Sequence, residues 1–204
     1  MEFENFEDLD TKRPDVFENR LEEALRLKQK GNVFFQQEDY FNAEYFYHCA
    51  LYHVDFDPMQ WNFELLDIHR EKALEVKVPV CLNLAAVRIH LENFDSAVHL
   101  CNEVLKDDPN NSKALYRKAL ALKALKEYEG ALQAVSTAFN LCPKNSQIFS
   151  LRKELKRLNN IEYQKAKKLW KGKFKTKTKK FSFKKALSIF NPLNLHYFYL
   201  PPVI

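Results

Sequence analysis

Glycine is nearly missing from this chain: three in 204 residues, at Gly31, Gly130 and Gly172. Sandwiches, barrels and glycine-rich phosphate loops all need residues at positive φ, so this scarcity disfavours them. No apolar run approaches the ~18 residues of a membrane span. The first eight residues, Met-Glu-Phe-Glu-Asn-Phe-Glu-Asp, are acidic where a signal peptide is basic and then apolar. A soluble, cytoplasmic protein is the expectation. Cys49, Cys81, Cys101 and Cys142 form no CxxC pair and have no histidine at metal spacing. They are expected to be reduced, buried small hydrophobes, and neither a metal nor a cofactor is expected.

Charge is missing from particular stretches too. Residues 1–20 hold seven acids against three bases, a net of −4, and residues 165–185 hold eleven lysines and no acid. Residues 186–204 carry no formal charge. The overall +5 therefore belongs to the tail, and the middle of the chain is slightly acidic.

What is present is a repeat. Ala85 and Ala119 stand 34 residues apart, as do Ala97 and Ala131, and Pro109 and Pro143. Gly31, Ala43 and Ala50 supply an earlier unit, and Ala138 matches Ala50 in the last one. Where two helices cross closely only Gly or Ala fits, while Leu, Phe and Tyr fill the gaps on either side. From Gly31 to Ala85 is 54 residues, so about 20 extra residues separate the first two units. Helices are expected near 17–37, 40–56, 64–91, 94–106, 111–126, 128–141 and 145–172. A period of 34 with two helices per unit resembles the tetratricopeptide repeat. The resemblance implies an all-α, right-handed superhelix of three helix-turn-helix repeats, about 24–57, 78–111 and 112–145, within a domain at 21–144 with an insertion at 58–77. Residues 1–20 form an acidic extension, 173–204 a basic and then aromatic tail. Between them a long helix at 145–172, with Ile148, Leu151, Leu155 and Leu158 in a stripe, is expected to cap the last repeat.

Polar residues recur on the first helix of each unit. Lys28 and Asn32 are four apart, as are Lys113 and Arg117, so each pair shares a helix face. Asn83 interrupts the apolar run Val78-Pro-Val-Cys-Leu-Asn-Leu-Ala-Ala-Val, where an amide is costly unless it is partnered or faces water. The segments Leu27-Lys-Gln-Lys-Gly-Asn32, Leu82-Asn83-Leu-Ala-Ala and Lys113-Ala-Leu-Tyr-Arg117-Lys are similar to the dicarboxylate clamp of chaperone-binding tetratricopeptide domains. The similarity runs from about Leu21 to Phe174 and is nearest to the repeat domain of the large FK506-binding-type immunophilins. It implies that Lys28, Asn32, Asn83, Lys113 and Arg117 grip the carboxylates of a Glu-Glu-Val-Asp tail from the ninety- or seventy-kilodalton heat-shock chaperones. Phe35 and Ala86 would border a pocket for the neighbouring valine. The implied role is a co-chaperone adaptor, with a client or second protein held by the insertion or the last helix.

Those immunophilins carry an isomerase domain before the repeats, and only ~20 acidic residues precede the first helix here. No enzymatic activity is expected. His48 and His53 have acids nearby but no nucleophile in a compatible setting, and the acidic run Glu7–Asp10 has no defined geometry for a metal. The alternative function lies in the tail, where lysines interleave with Phe174, Phe181 and Phe183 as in segments that bind RNA or anionic membrane. Lys177-Thr-Lys-Lys180 adds a nuclear-localisation option.

Overall fold

The computed structural model describes residues 13–171; residues 1–12 and 172–204 lie outside it, and with them the acidic start and the lysine-rich tail. Seven α-helices follow in order: α1 Phe17–Gln36, α2 Tyr40–Val54, α3 Asp67–His90, α4 Phe94–Asp107, α5 Ser112–Ala124, α6 Tyr128–Leu141 and α7 Ser146–Lys171, with one π turn at Gln60–Glu64. No strand occurs among the described residues. Consecutive helices pair as α1 with α2, α3 with α4 and α5 with α6, and α2 packs on α3 as α4 does on α5. No described helix is long and apolar enough to cross a membrane.

The small residues sit where the period places them. Gly31, Ala43, Ala50, Ala85, Ala97, Ala119, Ala131 and Ala138 are all buried. Large side chains fill the space around them, Leu27, Tyr47, Leu84, Val87 and Val135 being fully enclosed. Each such burial is worth about 1.5–3 kcal/mol. On α7, Ile148, Leu151 and Leu155 are buried in one cluster with Leu115, Leu122, Ala131 and Val135, so this helix covers the third hairpin as a cap. The described residues from Glu162 to Lys171 fall in a second unit. Within it Lys165 lies 3.7 Å from Glu162.

The scarcity of glycine does not keep the backbone out of positive φ. Glu38, Glu92 and Lys126 have φ of 61°, 59° and 65°. Each stands just past the first helix of its pair. In each turn the next residue's N–H reaches back five residues: Asp39 to Phe34 O at 3.0 Å, Asn93 to Arg88 O at 2.8 Å, Glu127 to Leu122 O at 2.9 Å. These are Schellman caps with a charged residue in the usual glycine position. The following residue starts the partner helix: Asp39 accepts from Asn42 N at 3.1 Å and Asn93 from Ser96 N at 3.4 Å. Turn residues are thus spaced 54 and 34 apart, like the alanines.

The insertion departs from the expected helix at 64. Asp57 Oδ1 accepts from the N–H groups of Met59 and Gln60, at 2.8 and 2.9 Å, and starts the π turn. Leu65 and Leu66 are extended, and α3 begins only at Asp67. Arg20 secures the exit from α2: its Nε donates to His53 O at 2.9 Å and Nη2 to Asp55 O at 3.2 Å, with the guanidinium 3.8 Å from the Phe56 ring centroid. Burial holds this arginine down, to about 10. The cysteines divide. Cys81 and Cys101 are buried, whereas Cys49 and Cys142, expected to be buried as well, are only partly covered, Cys142 standing at the C-terminal end of α6.

His53 is buried with an unpartnered Nδ1. Burial lowers its pKa; Glu23 opposes this, and Arg13, Arg20 and Arg26 add to the lowering. His48 shifts the same way through burial and Arg88. A lowered folded-state value means that the unfolded chain takes up more protons as pH falls through the ordinary value of 6.5. Thermal stability is therefore expected to fall between about pH 7.5 and pH 5.5, above the carboxylate range. A His53→Gln variant should show a flatter profile in parallel melts, and an unchanged slope would count against this origin.

Candidate functional site

Lys28, Asn32 and Phe35 stand on α1, Asn83 and Ala86 on α3, and Lys113 and Arg117 on α5. These three helices are the first members of their pairs, and α3 touches both of the others. Between them lies an open pocket of about 180 Å³, lined by Asn32, Phe35, Gln36, Tyr47, Asn83, Ala86 and Arg117. Five of the seven residues expected at the site therefore line one concavity. Lys28 and Lys113 do not line it. They sit one turn before Asn32 and Arg117, half-buried and exposed respectively, and neither has an ion pair or hydrogen bond among the described residues.

The two asparagines are held together. Asn32 Oδ1 accepts from Tyr47 Oη at 2.7 Å and from Asn83 Nδ2 at 2.9 Å. This explains how an amide survives in the apolar run of α3: it is paired with another amide across 51 residues. Tyr47 was not expected at the site. It reaches the pocket from α2, with its ring buried against Gly31 and its hydroxyl bonded to Asn32. Burial pushes its phenol up to about 12, so it remains a donor at neutral pH; a hydrogen bond with Asn83 and the charge of Arg117 oppose the shift.

Arg117 is the electrostatic centre. No carboxylate lines the pocket, and the guanidinium Nη1 is buried with no hydrogen-bond partner. Burial pulls the guanidinium below its ordinary range, partly offset by Cys101 and Tyr47. Arg88 pairs with Glu44 at 2.5 Å and Lys123 with Glu154 at 2.8 Å; buried nitrogens without a hydrogen-bond partner also occur on Arg13, Arg88 and Arg152, but none of these residues lines the pocket. A desolvated cation beside two amides and two unpaired lysines can do one thing well, which is to bind an anion through charge-assisted hydrogen bonds.

The site has no nucleophile poised for covalent chemistry. Cys101, behind Arg117, is a neutral thiol pushed up to about 12 by burial, and Cys81 is pushed up to about 11 in the same way. No group of three metal-ligating side chains occurs among the described residues.

Paired helices with this spacing, a concave polar face and a capping helix define a tetratricopeptide-repeat domain. A tetratricopeptide-repeat family model matches residues 81–155. The chain is 36% identical over 163 residues to the peptidyl-prolyl cis-trans isomerase FKBP42 of Arabidopsis thaliana, covering 78% of this chain and 43% of that protein. Its fold matches the C-terminal repeat domain of an FK506-binding protein of Plasmodium falciparum with a TM-score of 0.65 and 25% identity, over 74% of this chain and 96% of that one. It also matches the first repeat domain of Spaghetti (RPAP3), solved with the HSP90 peptide SRMEEVD, with a TM-score of 0.53 and 25% identity, over 67% of this chain and 92% of that one. The chain is thus homologous to the repeat region of the FK506-binding-type immunophilins, and it spans less than half the length of the curated relatives it matches.

Proposed function

We propose that this domain is a co-chaperone adaptor that binds the carboxyl-terminal Glu-Glu-Val-Asp tail of a heat-shock chaperone. The carrying observation is Arg117, a half-buried arginine whose Nη1 is enclosed without a hydrogen-bond partner in a pocket without a carboxylate. A C-terminal aspartate brings two carboxylates side by side. Lys28, Asn32 and Asn83 take the terminal carboxylate, while Lys113 and Arg117 take the aspartate side chain and adjacent backbone. Phe35 and Ala86 form the apolar wall for the preceding valine. The Spaghetti domain, solved with an HSP90 peptide of this ending, supports the ligand class. An adaptor also holds a second protein, and we place that contact on the exposed Met59, Phe63, Leu66 and Ile68 of the insertion and its junction with α3.

Fluorescence polarisation with labelled SRMEEVD tests the reading. Saturable binding with a micromolar Kd is expected, about −7 to −8 kcal/mol. A peptide of the same composition with the Glu-Glu-Val-Asp order scrambled should bind far more weakly. Equal binding of both peptides, or no saturation, would remove the clamp.

A further inference from the structure

Asn32 has one amide group and three neighbours to satisfy. Its oxygen already accepts two hydrogen bonds, from Tyr47 Oη at 2.7 Å and Asn83 Nδ2 at 2.9 Å. A side-chain carbonyl has two lone pairs, and both are used. The Asn32 NH₂ group is then left for the pocket. If Asn32 were turned over, its NH₂ would face the Asn83 Nδ2 donor, the Tyr47 hydroxyl would have to accept instead of donate, and the Asn32 oxygen would be presented to the pocket. Whether a carboxamide shows its oxygen or its nitrogen decides which ligand it accepts.

We propose that Tyr47 is a positioning and specificity-determining residue: its hydroxyl fixes the Asn32 amide with its donors toward the ligand, so that the pocket takes a free C-terminal carboxylate and rejects a C-terminal carboxamide. This rests on the carboxylate-clamp reading above and adds to it a residue from α2, outside the helices that carry the clamp. Two observations support the assignment besides the distances. The Tyr47 ring is locked in place, 1% exposed, with atoms 2.7–3.1 Å from where a Cβ on Gly31 would stand. The phenol also stays protonated across the working range, so the polarity of the bond to Asn32 does not reverse with pH.

The other hairpins fill the same position without a hydroxyl. The positions 16 residues after Gly31, Ala85 and Ala119 are Tyr47, Cys101 and Val135, all buried. Two of the three hairpins close with a small side chain that has no hydroxyl. Only the hairpin carrying Asn32 uses a large ring with a hydrogen-bond donor at its tip.

The test is Tyr47→Phe in the full chain, titrated with SRMEEVD as the free acid and as the C-terminal carboxamide. The unchanged protein should prefer the acid by about a hundredfold, since each charge-assisted hydrogen bond lost to the amide is costly. In Tyr47→Phe the acid should weaken by about tenfold while the carboxamide binds as before or better, so the preference shrinks. General damage to the domain would weaken both ligands alike, and that result would overturn the proposal, as would an unchanged preference. If Tyr47→Phe does not fold, Asn32→Asp serves instead. Its two oxygens still accept from Tyr47 and Asn83 but offer the ligand no donor, so the carboxamide should bind at least as well as the acid; a retained acid preference would overturn the proposal. Failure of the unchanged protein to bind either peptide would instead remove the clamp reading itself.

Discussion

Arg117→Met is expected to cost at least about a hundredfold in peptide affinity while raising the melting temperature of the free domain. Both effects come from the same atom. Arg117 is half-buried, its Nη1 is enclosed without a partner, and no carboxylate lines the cavity around it. Without ligand the fold carries the desolvation cost of a cation and recovers little of it. Replacing this half-buried, unpartnered charge with an apolar side chain of similar length removes that desolvation cost and is expected to stabilise by about 1 kcal/mol, here about 2–4 °C. With ligand the same group makes its hydrogen bonds to a carboxylate away from water, where truncating one partner costs about 2–5 kcal/mol. Melts of the free protein and peptide titrations of the same samples check the two halves. A variant that loses both stability and affinity would make Arg117 a packing residue. Unchanged affinity would remove it from the site.

Gly31→Ala should be strongly destabilising for a single added methyl. The added Cβ would lie 2.7 Å from Cε1, 2.8 Å from Cδ1 and 3.1 Å from Cζ of Tyr47. Those are ring atoms of a side chain that is 1% exposed, and moving the ring breaks its bond to Asn32. Overpacking of this kind costs about 1–3 kcal/mol, and the upper end is expected here because the ring cannot flex. A drop of about 5–10 °C in the melting temperature should accompany about tenfold weaker peptide binding. The third hairpin supplies the control. There Ala119 stands opposite Val135, both fully buried. The double variant Gly31→Ala/Tyr47→Val copies that pair, and it should recover stability without recovering affinity. Wild-type stability in Gly31→Ala alone would disprove the close approach.

The hairpin framework was legible in the sequence because it rests on steric contacts that recur at a fixed period. Ala85, Ala119, Ala97 and Ala131 are buried where helices cross, and the helix ends fall within about three residues of their expected places. The groove was legible as well, because polar side chains at four-residue spacing on the first helices had no other surface to face. Tyr47 was missed for a physical reason. Its ring is core and its hydroxyl is site, and periodicity reports only the first. Comparing Gly31 with Tyr47, Ala85 with Cys101 and Ala119 with Val135 would have shown an inverse match of sizes and singled it out. The start of α3 was missed because Asp57 nucleates a π turn through its own side chain, a local bond that hydrophobic spacing does not register. The turns escape the sequence in another way. A Schellman cap needs only one left-handed residue, and its hydrogen bonds hold a glutamate or lysine there, so glycine content does not report it.

Those three turns have a consequence for how the molecule can adapt. An L-residue held left-handed forgoes roughly 1–2 kcal/mol, and Glu38, Glu92 and Lys126 each do so outside the ligand pocket. In a linear array, stabilities of neighbouring units add almost independently. Each turn is therefore a separate dial on its own hairpin. Glycine or asparagine at one, two or three of them would raise thermal resilience in increments, leaving the recognition chemistry on α1, α3 and α5 untouched. A binding module under selection at a new temperature would not have to redesign its core or its groove; it would only have to relax its corners.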